Sequence, residues 1–146
     1  MKFSAFERYR QLVALPLTSV TAEEQGSDYE AGRIVIGAET WRIRTARITP
    51  TKPGAFVAVW HRAADGTTQP YNESDDCDGL MVFVEDGDRF GVFKFAKKHL
   101  VELGVIDSDK APGKRGFRVY PDWCTGLNKQ ATRTQQAQAV AFAALV

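Results

Sequence analysis

At 146 residues, with 44% hydrophobic and 25% charged side chains, the chain has the size and balance of one globular domain. No run approaches the roughly 18 apolar residues of a membrane span, and Met1-Lys2-Phe3-Ser4 leads into an amphipathic stretch instead of a signal-peptide core, so the reading is cytoplasmic. A net charge of +1 excludes strong long-range steering by the molecule as a whole.

Ser4 and Glu7 have capping-box spacing, Phe6, Tyr9 and Val13 recur at helical intervals, and Pro16 is a stop, which together predict a first helix. Residues 18–32 are polar and acidic, with room for a short helix. Strands are expected at 33–36 and, after the Gly37-Ala38 turn, at 40–48, where Trp41, Ile43 and Thr45 alternate with Arg42, Arg44 and Ala46. The arginine stripe reads as a solvated face. Two prolines and Gly54 mark a turn into the apolar run 56–60, expected as a central strand covered on both faces. A polar loop follows from His61 to Cys77. Segments 78–84 and 90–95 flank Asp86-Gly87, the strongest hairpin signal in the chain. A short helix at 97–103 ends at Gly104, a last strand lies at 117–120, and Asn128 caps a final helix running to Leu145, with Ala137, Val140, Ala141, Ala144 and Leu145 as its buried stripe. These elements predict an α+β domain over residues 1–146: a mostly antiparallel five-stranded sheet flanked by N- and C-terminal helices. Cys77 and Cys124 lack CxxC or Cys/His metal spacing and read as free thiols.

The charges are segregated. Arg33, Arg42, Arg44, Arg47, Lys52 and Arg62 face only Glu39 in their stretch. Asp65, Glu73, Asp75, Asp76, Asp78, Glu85, Asp86 and Asp88 follow without an intervening base. Lys110, Lys114, Arg115, Arg118, Lys129 and Arg133 then face Asp122 alone. Such blocks suit a basic face for an anionic partner, or mutual neutralisation on a folded surface.

Tyr29-Glu30-Ala31, the stretch 49–62 (TPTKPGAFVAVWHR), the acids of 75–78, 90–95 (FGVFKF), 113–123 (GKRGFRVYPDW), and Asn128, Gln130, Ala131, Thr134 and Gln135 occur here in order. Together they resemble the MepB-like family over most of the chain from about Glu24 onward. The resemblance implies a small bacterial protein and, by itself, no chemistry. The order of helix, strands, acid-bearing hairpin, helix and strand also resembles the core of restriction-endonuclease-type nucleases.

In that core, an Asp and a Glu-x-Lys on neighbouring strands hold Mg²⁺ or Mn²⁺ beside the nucleophile. The corresponding candidates are Asp78 and Lys94 as catalytic residues, with Glu30 as a second catalytic or metal-binding carboxylate and Asp76 as a substitute for it. Val92 stands where the motif needs an acid. If Glu85 pairs with Arg89, the period of two puts Asp78 and Lys94 on one face; a slip of one residue separates them.

The basic third carries the leading expectation, a nucleic-acid-binding module with a degenerate nuclease-like core. Lys114, Arg115 and Arg118 would neutralise phosphates, and Tyr120 and Trp123 would stack on unpaired bases beside Lys129 and Gln130, with Lys52, Trp60 and Arg62 extending the surface toward single-stranded DNA or RNA. The competing reading packs Tyr120 and Trp123 against the final helix and pairs Arg118 with an acid such as Asp78. Metal-dependent cleavage and regulatory binding of a protein partner are the other two functional classes expected.

Overall fold

The computed structural model describes residues 2–25 and 28–146. The chain forms α1 (Ser4–Leu12), β1 (Thr21–Ala22), β2 (Gly32–Ile36), β3 (Glu39–Thr45), β4 (Arg47–Ile48), β5 (Ala55–Ala58), β6 (His61–Arg62), β7 (Thr68–Gln69), β8 (Gly79–Asp86), β9 (Arg89–Ala96), α2 (Lys97–Glu102), β10 (Gly116–Val119), α3 (Lys129–Gln138) and, after a 3-10 turn, β11 (Phe142–Ala144). The α+β class holds. The sheet differs from the expected five strands: the main sheet has six, in the order β1-β2-β3-β8-β9-β11, accompanied by a three-stranded sheet β10-β5-β4 and the hairpin β6-β7. Its central pair, β3 with β8, is parallel, while the other neighbours are antiparallel. No helix is long and apolar enough to cross a membrane among the described residues.

Both faces of the main sheet are buried, so β8 is apolar on both sides and its first six residues are buried. Met81, Phe83, Phe90 and Val92 point to the layer completed by Phe6 and Tyr9 of α1 with Ile34, Trp41 and Ile43. Leu80, Val82, Val84, Phe93 and Phe95 point to the opposite layer, closed by Val57, Leu100, Phe117 and Val119. The run 56–60 is not a strand covered on both faces. β5 is the middle strand of the small sheet and alternates buried with half-buried residues. The chain also changes sheets at Ala46, splitting the expected strand 40–48 into β3 and β4.

The capping box does not form. Phe3 is the N-cap and contributes no side-chain bond, Glu7 pairs with Arg10, and the free amide of Ser4 donates to Glu30 Oε2 at 3.1 Å. A carboxylate from the far side of the loop thus serves the exposed helix end. At 18–32 the described residues hold β1 and turns in place of a helix, and Gly26 and Ser27 lie outside the described residues.

The final helix stops at Gln138. The residues that follow complete the main sheet, with Phe142 opposite Phe93 and Ala144 opposite Gly91. The free edge of β9 takes backbone hydrogen bonds, and Phe142 packs on Phe93 at 4.7 Å and Trp123 at 5.5 Å between centroids. These contacts outweigh the helix propensity of the alanines. The buried residues of α3 are therefore Ala131 and Gln138, and Val140 is 88% exposed.

Candidate functional site

The free edge of β10 and one face of α3 form the walls of a cleft of about 720 Å³. Gln138, only 1% exposed, joins them: its Nε2 donates to the Arg118 carbonyl at 2.7 Å, and its Oε1 accepts from the Tyr120 amide at 3.0 Å. One side chain so satisfies a strand edge that would otherwise carry buried orphan groups. Asn128 accepts from the Ala131 amide at 2.8 Å and caps α3, whose first turn lines the cleft through Gln130 and Ala131.

Leu103 and Ala137 give the cleft accessible apolar surface over the buried Val105 and Phe117, and Lys52, Lys114, Arg118 and Arg133 give it cations. None of these four is ion-paired among the described residues. Arg118 is half-buried and held in place by Thr49 Oγ1 at 2.9 Å and the Pro53 carbonyl at 3.1 Å, not by the acid partner considered above. Tyr120 lies against Gly54, where a Cβ would stand 2.7 Å from the ring, and the φ of +76° at that position also favours glycine. The positive end of the α3 dipole adds to the cationic character of the cleft.

A family model for MepB-like proteins matches residues 23–144. The chain belongs to the MepB-like family. A crystal structure of MepB matches it with a TM-score of 0.86 and 36% identity, covering 99% of this chain and 97% of that one. No curated protein matches.

In this MepB-like chain the expected nucleic-acid residues divide. Lys52, Lys114, Arg118, Tyr120 and Gln130 line the cleft. Lys129 opens α3 and is exposed but does not line it. Trp60, Arg62 and Arg115 gather at the β6-β7 hairpin, where the Arg62 guanidinium stands 5.2 Å from the Trp60 ring and Arg115 donates to Thr68 at 3.4 Å. Trp123 is used in packing: it meets Phe142 edge-on and donates to Asp86 at 3.3 Å. Glu102, Arg133, Asn128 and Gln138 were absent from the expected set. Gln130, Arg133, Thr134 and Ala137 recur at intervals of three and four, a helical face that the sequence displays.

The candidates for metal chemistry are held apart. Asp86 pairs with Arg89 and Met81 with Lys94, one residue out of the register expected from Glu85 and Arg89. Lys94 therefore shares a face with Met81 and reaches the Trp41 ring at 5.6 Å. Asp78 has the opposite parity, and its carboxylate accepts from the Thr40 amide at 2.8 Å. Glu30 spends one oxygen on Thr45 Oγ1 at 2.6 Å and the other on Ser4. Val92 is buried in the core, and Asp76 is exposed at the turn before β8. No group of three His, Cys, Asp or Glu side chains is placed to hold a metal among the described residues.

The arginine stripe of β3 is not solvated. Arg44 is fully buried, donating to Glu23 Oε1 at 2.6 Å, Gln25 Oε1 at 3.1 Å and the Ile43 carbonyl at 2.8 Å. Arg42 stacks 3.5 Å from the Tyr71 ring centroid, with Nε 3.3 Å from Glu23 and Nη2 3.8 Å from Asp75. The 3.3 Å approach is close enough for ion pairing but misaligned, so Arg42 Nε has no hydrogen bond, and neither does Arg44 Nη2. Tyr71 donates to Glu23 at 3.2 Å; burial, and then the charge of Glu23, raise the pKa of its hydroxyl. Gln25 also binds Ala58 and Trp60, so this polar layer ties β3 to the small sheet. Its role is structural.

Proposed function

We propose that this protein binds flexible, single-stranded nucleic acid in the cleft between β10 and α3. The carrying observation is the combination of four cations, none ion-paired among the described residues, with the accessible Leu103 and Ala137 side chains and the half-buried Tyr120 ring in one concavity. Cations meet phosphates and flat apolar surface meets unpaired bases, which a duplex keeps stacked inside. The volume of about 720 Å³ falls among small-ligand sites, roughly 300–1,000 Å³, and suits a short stretch of strand. The hairpin patch of Trp60, Arg62 and Arg115 offers an extension for a longer strand. Cleavage is not included, because Asp78, Lys94 and Glu30 do not converge and, among the described residues, no third carboxylate joins them.

Fluorescence anisotropy with a labelled oligothymidine tests the reading. Four phosphate contacts give a log–log salt slope of about −3, at roughly −0.7 per contact on a single strand. Lys114→Ala and Arg133→Ala should each weaken binding and make the slope shallower by about 0.7. Absence of binding at low salt would overturn the proposal.

A further inference from the structure

The cleft holds one acid. Glu102 lies beside Leu103 on its lining, exposed, with no hydrogen bond or ion pair among the described residues. Its position opposes the dipole of its own helix and opposes phosphate binding. It is the last residue of α2, where the carbonyl end of the helix disfavours an anion, and it stands in a cleft whose other charges attract phosphate, which a carboxylate repels. A surface that merely tracked a backbone would gain from a lysine or a neutral residue there.

A carboxylate becomes favourable where the ligand presents donors in place of oxygen anions. Among the neutral nucleobases, only guanine offers two adjacent donors on its pairing edge, N1–H and the exocyclic N2 amine, spaced for the two oxygens of one carboxylate. Adenine and cytosine each offer one amine beside an acceptor, and thymine or uracil offers one imide N–H between two acceptors. Half-buried Leu103 lines the cleft beside the carboxylate and can carry the face of a base while its edge meets Glu102. Resting on the cleft reading above, we infer that Glu102 is a specificity residue that selects guanine in the bound strand.

The test is anisotropy with labelled heptamers: oligothymidine, the same strand with one central guanine, and the same strand with inosine, which lacks the N2 amine. The guanine strand should bind about ten-fold more tightly than plain oligothymidine, and the inosine strand about three-fold. In Glu102→Ala these preferences vanish, while affinity for plain oligothymidine rises about two-fold because a like charge is gone. Opposite signs for the two strands separate base reading from a general change in the cleft, and the substitution touches an exposed helix end. Equal affinities for the guanine and thymine strands in the unmodified protein, or a preference that survives Glu102→Ala, would overturn the inference while leaving the cleft reading intact. Failure of every strand to bind at low salt would remove the cleft reading and this inference with it.

Discussion

Glu23→Gln tests the buried polar layer most directly. Glu23 is the carboxylate closest to both guanidiniums, at 2.6 Å from Arg44 and 3.3 Å from Arg42, and its side chain is only 9% exposed. The amide keeps the size and one acceptor but removes the charge. Two buried cations then have only Asp75, 3.8 Å from Arg42 and itself 35% exposed. Breaking a buried pair by neutralising one partner costs about 3–5 kcal/mol; the retained acceptor places this change near the lower end, about 3 kcal/mol. For a domain of this size that corresponds to a fall in Tm of roughly 6–12 °C. Urea unfolding followed by tryptophan fluorescence measures it. The double variant Glu23→Gln with Arg44→Met removes the excess charge as well, and its loss should be smaller than the sum of the single losses by about 1 kcal/mol or more. A loss below about 1 kcal/mol for Glu23→Gln, or strict additivity in the double variant, would refute the view that this layer is a coupled, desolvated charge network.

Gln138→Leu fills similar space but leaves the Arg118 carbonyl and Tyr120 amide unpaired, so a loss of about 2–4 kcal/mol in urea is expected, together with faster hydrogen exchange at the Tyr120 amide. Val140→Ser, at a position 88% exposed, should change stability by less than about 0.5 kcal/mol, whereas a loss above about 1.5 kcal/mol would restore the long final helix. Tyr71 has a folded pKa above its ordinary value of 10.0, so its contribution is fully present below pH 10 and is lost as pH rises through the folded pKa. Thermal melts between pH 9 and 11 should show this decline reduced in Tyr71→Phe, leaving the part due to Tyr9 and Cys124, whose hydroxyl and thiol pKa values burial also raises.

Local chemistry in the sequence located most of the elements. Gly104, with φ +71°, ends α2, and the Asn128 side chain caps α3. The hairpin was equally visible, but its register depended on whether two or three residues formed the loop. Gly87 takes φ +60° as the first residue of a two-residue turn with Asp88, which shifts the pairing by one and separates Asp78 from Lys94. The arginines of β3 followed the period of two correctly while the inference of solvation failed. Glu23, Gln25, Tyr71 and Asp75, which cover that face, come from segments far away in sequence, and no local pattern announces them. The ending at β11 was hidden for a similar reason: alanine-rich sequence favours helix locally, and the competing gain belongs to the edge of β9. Half of the ten expected nucleic-acid residues line the cleft because strand β10 and the turn at 49–54 were recognisable, whereas placing Glu102 and Arg133 beside them required the tertiary arrangement of α2 and α3.

The parallel contact between β3 and β8 constrains the order of assembly. The β8-β9 hairpin closes through Gly87 and Asp88 and brings its residues together over a short stretch of chain. Its junction with β3 must first close residues 46–78, which carry β4 to β7 and have their own partners to find, with β5 waiting for β10 from beyond α2. Loop entropy therefore favours early formation of the hairpin and late joining of the two halves of the main sheet. Substitutions in the β8-β9 turn should act mainly on the rate of folding, and those at the β3-β8 seam mainly on the rate of unfolding.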